Sequence, residues 1–309
     1  MTALPAYLRC ERKGEHMGQM THPARMGAAL MIGAGAMFAC VNTMLQFVTM
    51  KLGVPAPTAT FWQYGIALVV LLPWQGVGLS ALRTRRLPAH ALRVGFAVGG
   101  VQLWAMGLAH VPIWQAISLI MLSPFFVTAG AALLLEEDVT PQRWLAVLAG
   151  FAGGAVILSP WDDNFTLWAL APVAAAALWA ASSLMTKRMT ATESPATLTL
   201  YLLALLTPLN ALLTLGSGGM APGGMTAFIA LAIAGLLTAA AQFALAKAYA
   251  TADAAFLQPF DHVKLPFNVV LGILAFGFVP PGSMWLGSAL IVAASMWLLS
   301  SEARSPART

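Results

Sequence analysis

The sequence predicts an all-α membrane protein whose chain crosses the bilayer ten times. Of its 309 residues, 59% are hydrophobic and only 9% are Asp, Glu, Lys or Arg, and the mean hydropathy is +0.79. Soluble domains carry about 25% charged residues, so this composition cannot cover a water-facing surface. The charges also leave long uncharged runs, and a helix of about 20 apolar residues is enough to cross a bilayer. Two cysteines are too few for a disulfide-framed domain.

Turn-forming residues divide the uncharged runs into ten predicted helices joined by short loops. Pro and Gly mark the divisions, because Pro lacks a backbone N–H and Gly tolerates turn dihedral angles. Such turns occur at His110-Val111-Pro112, in the glycine-rich stretch 216–224 and at Val279-Pro280-Pro281-Gly282. The predicted spans are 26–50, 58–78, 91–109, 112–135, 142–159, 165–187, 196–215, 224–249, 252–277 and 281–300.

The positions of the basic residues predict the orientation in the membrane. Residues 1–25 form a polar tail without the long apolar core of a signal peptide, and 301–309 form a second tail. Basic residues concentrate in the first tail and in the loop after the second span, at Arg9, Arg12, Lys13, Arg25, Arg83, Arg85, Arg86 and Arg93. The positive-inside rule therefore places both termini in the cytoplasm. The net charge of +5 reflects this bias, and cations scattered among short loops do not predict a nucleic-acid partner.

The two halves of the chain show an internal repeat. A Val-x-Pro turn precedes Trp144-Leu145 at the start of the fifth span, and a similar turn precedes Trp285-Leu286 at the start of the tenth. The halves, 26–159 and 165–300, therefore look like two five-helix repeats, and an odd number of spans gives them opposite orientations. Inverted repeats characterise secondary transporters, whose sites lie near the membrane midplane between the halves. Chance similarity between Leu- and Ala-rich helices is the alternative explanation.

These features resemble the EamA-type branch of the drug/metabolite transporter superfamily, over about residues 26–300. The resemblance rests on the ten-helix layout, on Ser123-Pro124-Phe125-Phe126 in the fourth span and on the acidic stretch 136–138 before the fifth. Two departures are Leu135-Glu136, where the family often has Gly-Glu, and Phe276-Gly277 in the second half, which has no acid. The resemblance implies export of small metabolites, commonly amino acids and including aromatic ones, through a cavity between the halves.

The ninth span contains the most unusual polar residues for a membrane helix. They form one stripe of a predicted helix and comprise Gln258, Asp261, His262, Lys264 and Asn268. An ionised group costs on the order of 3 kcal/mol at the bilayer centre, so this stripe is expected to face protein or water. Asp261 and Lys264 are three residues apart and could pair. Either the pair only fixes helix packing, or it lines the transport pathway, which is the interpretation we favour.

Milder polar stripes occur on other spans of both halves. The residues predicted to bind substrate with those of the ninth span are Asn42, Gln46, Gln102, Trp114, Ser118, Trp179, Ser182 and Gln242. Each one alone is explained as readily by hydrogen bonds between helices. Their occurrence on both halves predicts a shared central cavity, and tryptophan there suits a hydrophobic or aromatic substrate. Trp62 and Tyr64 are assigned to the interfacial aromatic belt.

The sequence therefore predicts an inner-membrane transporter that exports small metabolites, amino acids above all, by alternating access. The alternatives are a multidrug or nucleotide-sugar-like carrier, for which one Lys264 offers few phosphate partners, and a polytopic membrane enzyme. The enzyme is disfavoured because no HxxxH or HExxH motif occurs. The predicted partners are a small-molecule substrate and the lipid bilayer, with a homodimer left open. No catalytic residue, metal site or cofactor is predicted.

Overall fold

The computed structural model describes residues 22–71, 84, 86–134, 139–163, 165–189, 192–193, 195–251, 257 and 260–303. These residues form helices and connecting turns, without a strand among them. The helices are α1 (His22–Gln46, continued by a π-helical turn, Phe47–Lys51), α2 (Ala56–Leu71), α3 (Leu87–His110), α4 (Ile113–Ile120), α5 (Ser123–Leu134), α6 (Pro141–Leu158), α7 (Leu170–Met189), α8 (Pro195–Leu215), α9 (Met225–Thr251), α10 (Lys264–Phe276) and α11 (Gly282–Ala303).

The helical, membrane-spanning character of the chain is confirmed. Within the described residues, seven segments are long and apolar enough to cross a bilayer: Arg25–Lys51, Leu87–His110, Ile113–Leu133, Pro141–Leu158, Leu167–Thr186, Met225–Leu245 and Gly282–Ser300. Three shorter apolar helices are Ala56–Leu71, Leu200–Leu215 and Lys264–Phe276. These segments follow the order of the predicted spans, while the count of ten and the orientation of the termini stay predictions. The predicted tails lie almost entirely outside the described residues, and so does the acidic stretch 136–138.

The fourth predicted span is broken in its middle. α4 ends at Ile120 and α5 begins at Ser123, with a turn at Met121-Leu122. Pro124 has no N–H to donate to the carbonyl four residues earlier, so the helical ladder cannot run through it unbroken. The amide of Phe125 donates instead to the Leu122 carbonyl at 3.0 Å. The fourth predicted span, 112–135, therefore consists of two helices joined by this turn.

The ninth predicted span is also interrupted in its described part. His262-Val263 form a turn, and α10 begins only at Lys264. Pro266 cannot donate to the His262 carbonyl, and the amide of Leu265 donates to it instead at 3.1 Å. The ninth predicted span, 252–277, is therefore interrupted at this turn. Asp261 and Lys264 lie on either side of a turn rather than along one regular helix.

Helices of the first half pack mainly on helices of the second half. The main pairs are α1 with α9 and α10, α2 with α8 and α9, α3 with α7 and α8, α5 with α7, α4 with α10, and α6 with α11. A large buried cluster, which includes Leu45, Trp104, Ile113, Phe125 and Val269, joins both halves. This packing encloses polar residues of α1, α3 and α9 between the halves and leaves leucines such as Leu148 and Leu274 exposed on the outside.

The helices α6 and α11 touch through glycine. A Cβ atom built on Gly153 would lie 2.7 Å from the carbonyl oxygen of Gly287, and one built on Gly287 would lie 2.6 Å from the carbonyl oxygen of Gly153. Backbone atoms cannot move aside as a flexible side chain can. These two positions therefore require glycine for the observed approach of the helices.

We expect Gly287→Ala to lower stability by about 1–3 kcal/mol, because the added methyl group overpacks against backbone. The measurement is the thermal midpoint of the detergent-purified protein. Gly282→Ala is the matched control on the same helix, because a Cβ there meets no atom within 4 Å. A Gly287→Ala protein that melts at or above the wild-type temperature would contradict the close contact.

Candidate functional site

A cavity of about 770 Å³ lies between the two halves of the chain. Its lining comes from α1, α2, α3, α4, α5, α7, α8, α9 and α11 and from the turn Asp261–Lys264. Most lining side chains are apolar, among them Met31, Phe38 and Leu206. Small-molecule sites typically measure about 300–1,000 Å³ and combine an apolar wall with a few polar groups. The cavity therefore has the size and character of a small-molecule site.

An ion pair lies in the wall of the cavity. Lys264 Nζ donates to Asp261 Oδ2 at 2.6 Å, and the two side chains are 24% and 32% exposed, respectively. The turn at His262-Val263 brings them together. Among the described lining residues, these two carry the permanent charges, and their charges cancel. The predicted pairing is present, and the pair faces the cavity rather than a closed core.

A chain of amides fixes this turn against α1. Asn42 Nδ2 donates to Asn268 Oδ1 at 3.1 Å, and Asn268 Nδ2 donates to the Lys264 carbonyl at 2.7 Å. Asn268 is fully buried, whereas Asn42 also lines the cavity. α1 passes close to the turn at Gly35, where a Cβ would be in ordinary contact with Lys264 Cβ at 3.5 Å. The position of the ion pair is thus set from α1 as well as from α10.

His262 adds unused hydrogen-bonding capacity beside the ion pair. Its ring lines the cavity, and neither ring nitrogen has a hydrogen-bond partner among the described residues. An unpaired buried polar group is costly, and a water or ligand atom in the cavity could satisfy it.

Aromatic side chains form another part of the wall. Trp179 of α7 and Trp104 of α3 both line the cavity, with ring centroids 6.1 Å apart. Tyr64 of α2 lines it too, so its assignment to the interfacial belt is wrong. Tyr64 packs instead against the buried cluster that contains Val101. Trp62, nearer the helix end, donates to the Met220 carbonyl at 2.8 Å.

The structure brings part of the predicted site together around the cavity. The predicted residues that line it are Asn42, Trp179, Ser182, Gln242, Asp261, His262 and Lys264. Gln46, Gln102, Trp114 and Ser118 are not among the lining residues. Gln258 lies outside the described residues. That the lining residues bind a substrate stays a prediction.

Three of the predicted residues outside the lining make hydrogen bonds that hold helices together. Gln46 is fully buried and donates to the carbonyls of Leu108 and Val111, at 3.0 and 2.8 Å, where α3 ends and its carbonyls lack helical partners. Gln102 donates to Thr60 Oγ1 at 2.9 Å and to Asn210 Oδ1 at 2.8 Å, joining α3 to α2 and α8.

Ser118 donates to the carbonyl of Trp114 at 2.7 Å and accepts from Ser288 Oγ at 3.1 Å. Its hydroxyl thus joins α4 to α11. For Gln46, Gln102 and Ser118 the structure supports the alternative explanation, hydrogen bonding between helices.

Sequence reasoning missed several polar lining residues, notably Gln63, Thr60, Thr128 and Ser295. Gln63 donates to Thr238 Oγ1 of α9 at 3.1 Å. The criterion that selected Gln102, an amide within an uncharged run, applies equally to Gln63 and would have found it.

Comparison with known proteins adds family evidence to this geometry. The profile of the EamA-like transporter family matches residues 25–159. A "Riboflavin transporter" of Rhizobium johnstonii is 51% identical over 282 residues, which cover 91% of this chain and 93% of that protein. A "Riboflavin transporter" of Vibrio cholerae serotype O1 is 49% identical over 290 residues, covering 93% and 97%. One crystal structure matches 91% of this chain and 98% of its own with a TM-score of 0.61 at 20% identity, which shows a shared fold alone.

The ion pair generates a stability prediction. Asp261→Asn and Lys264→Gln should each lower the thermal midpoint, because each leaves one charge in the cavity wall without its counter-ion. The double variant should lose less than the sum of the two, with a coupling of about 0.5–3 kcal/mol. Lys247→Gln, an exposed lysine on α9, is the control and should change little. Strictly additive losses would show that the pair contributes no coupling.

Proposed function

The chain belongs to the EamA-like transporter family, and on this premise we propose that it carries riboflavin across the inner membrane. It is a multi-pass membrane transporter, and its relatives imply a small-molecule substrate. The observation that carries the choice of substrate is that two relatives, 51% and 49% identical over nearly their whole length, are named riboflavin transporters. Amino-acid export, which the sequence predicts, has no support from these relatives. Since they are named as transporters, transport is also favoured over a membrane enzyme.

The chemistry of the cavity supports an uncharged aromatic substrate. Riboflavin combines a flat three-ring system with a polyol chain and carries no net charge near neutral pH. Trp179, Trp104 and Tyr64 suit the rings, and the amides of Asn42 and Gln242 suit the hydroxyl groups.

The ion pair argues against the alternative substrates. An amino acid brings an ammonium and a carboxylate that each need a free counter-ion, whereas Asp261 and Lys264 neutralise each other at 2.6 Å. A nucleotide sugar brings phosphates, which need unpaired cations. The lone described lysine of the lining is already paired.

In this proposal the protein consists of two inverted repeats, 26–159 and 165–300, that move against each other. The symmetry of the helix contacts supports the repeat. With α4 and α5 counted as one span, a shift of five spans converts the α1–α9 contact into α7–α3, and α2–α9 into α8–α3. The same shift converts α1–α10 into α7–α5 and leaves α6–α11 unchanged. The hydrogen bonds Gln63–Thr238 and Gln102–Asn210 also join equivalent pairs of spans. In this proposal the breaks at Met121-Leu122 and His262-Val263 absorb the alternating-access movement.

Purified protein in liposomes should move labelled riboflavin above the level of empty liposomes. Excess unlabelled riboflavin should abolish the signal and excess amino acids should leave it unchanged, because Asp261 and Lys264, the permanent charges of the described lining, are paired with each other. Uptake and efflux from preloaded vesicles are both measured, with and without a pH gradient, to give direction and coupling. A well-folded protein that moves amino acids and not riboflavin would overturn the proposed substrate.

Lys264→Ala should raise the KM for riboflavin about 10- to 150-fold, since a hydrogen bond to a charged group is worth about 1.5–3 kcal/mol. The variant removes a donor from the cavity and leaves the Asp261 carboxylate without its partner. Lys247→Ala removes an exposed lysine outside the lining and should keep the wild-type KM. Unchanged kinetics in a folded Lys264→Ala variant would show that Lys264 does not contribute to substrate binding. The proposal that the substrate is riboflavin would be unaffected.

A further inference from the structure

Trp179 lies where α7 crosses α3, and its indole is pressed against the backbone of α3 at Gly100. A Cβ atom built on Gly100 would lie 2.5 Å from both Cδ1 and Nε1 of the indole and 3.1 Å from its Cγ. Real Cβ atoms essentially never come this close to another atom. Any side chain at this position would therefore push the indole away from α3 and towards the cavity.

Trp104, one helical turn after Gly100, supports the same indole from α3. The two tryptophan rings lie 6.1 Å apart at an angle of 44°, and Trp104 is buried, whereas Trp179 is only half-buried. Gly100 and Trp104 contact the indole from the α3 side, and the half-buried Trp179 also lines the cavity. The indole is thus supported by α3 at the cavity wall.

We propose that Trp179 is the surface on which the ring system of the substrate stacks, and that Gly100 is the positioning residue that makes room for its indole. The inference rests on the proposed function, because the ring system is that of riboflavin. Flat aromatic ligands gain affinity by stacking on tryptophan, and the gain depends on the ring being held in place. A tryptophan already pressed against α3 needs no rearrangement when the ligand arrives.

The contacts also define what a purely structural Trp179 would do. Trp179 packs against two buried clusters, the large one that contains Trp104 and the smaller one that contains Val101. If packing were its only role, substitution would lower the amount of folded protein and the maximal rate, and would leave the KM for riboflavin unchanged. A stacking role is therefore distinguished from a packing role by the KM for riboflavin and by competition from compounds that have the flavin rings without the polyol chain.

The experiment measures riboflavin transport in proteoliposomes for Gly100→Ala, Trp179→Ala, Trp179→Phe and the double variant Gly100→Ala/Trp179→Ala. Gly95→Ala is the matched control on α3, because a Cβ there meets no atom within 4 Å. Lumichrome, which has the flavin rings without the polyol chain, serves as the competitor. Stacking of this kind is worth about 5- to 150-fold in affinity.

We expect Trp179→Ala to raise the KM at least about fivefold and to weaken competition by lumichrome equally, while Trp179→Phe stays closer to wild type. Gly100→Ala should raise the KM with little change in maximal rate, and Gly95→Ala should do neither. In the Trp179→Ala background, Gly100→Ala should add nothing, because the ring it displaces is gone. If Trp179→Ala fails to fold, the proposal is tested by comparing the KM of Gly100→Ala with that of Gly95→Ala.

A wild-type protein that moves riboflavin, together with a Gly100→Ala variant indistinguishable from Gly95→Ala, would overturn this inference alone. Equal effects of Gly100→Ala with and without Trp179 would also overturn it, because the effect would then act through another contact. A wild-type protein that moves no riboflavin would overturn the proposed function and, with it, the flavin ring as the ligand.

Discussion

A polar group inside a bilayer must find its partner within the protein, and the fold described here depends on that requirement. Gln46 donates to two buried carbonyls at the end of α3 that lack helical partners, and Gln102 and Gln63 bond across helices of the two halves. Asp261 and Lys264 satisfy each other. Because these partners sit between the halves, polar side chains draw the halves together, while apolar faces are left for the lipid. Around the cavity some polar groups, such as the ring nitrogens of His262, have no hydrogen-bond partner among the described residues.

Both discontinuities in the helices occur at this cavity. Met121 of the turn between α4 and α5 lines the cavity together with Ser123 and Pro124 at the start of α5, and the ion pair flanks the turn at His262-Val263. Irregular backbone is tolerated at membrane depth only where it is buried in protein or lines a cavity. The breaks next to Pro124 and Pro266 therefore lie where irregular backbone is tolerated, at the wall of the cavity. α4 and α10 also pack on each other, so the two turns are structurally linked.

Scarcity of charge predicted the architecture and much of the candidate site. Uncharged runs and Pro-Gly turns predicted the helices. Asp261 and Lys264 were selected because ionisable residues within a membrane span are energetically costly and usually functional. The hydrogen-bond partner of an uncharged side-chain amide could not be predicted in this way. Gln46 and Gln102 find partners 62 and 108 residues away, which depends on helix packing that local sequence does not encode. Tyr64 was misplaced because nearness to a span end does not show which face of the helix a residue occupies, and Tyr64 lies on the face towards the cavity.

The cancelled charges of Asp261 and Lys264 have an electrical consequence. A membrane voltage acts on net charge, at about 2.3 kcal/mol per elementary charge per 100 mV. The permanent charges of the described lining sum to zero, so this lining offers that voltage almost nothing to act on. For the uncharged substrate proposed above, movement past this part of the wall would then depend on concentration and helix packing rather than on voltage.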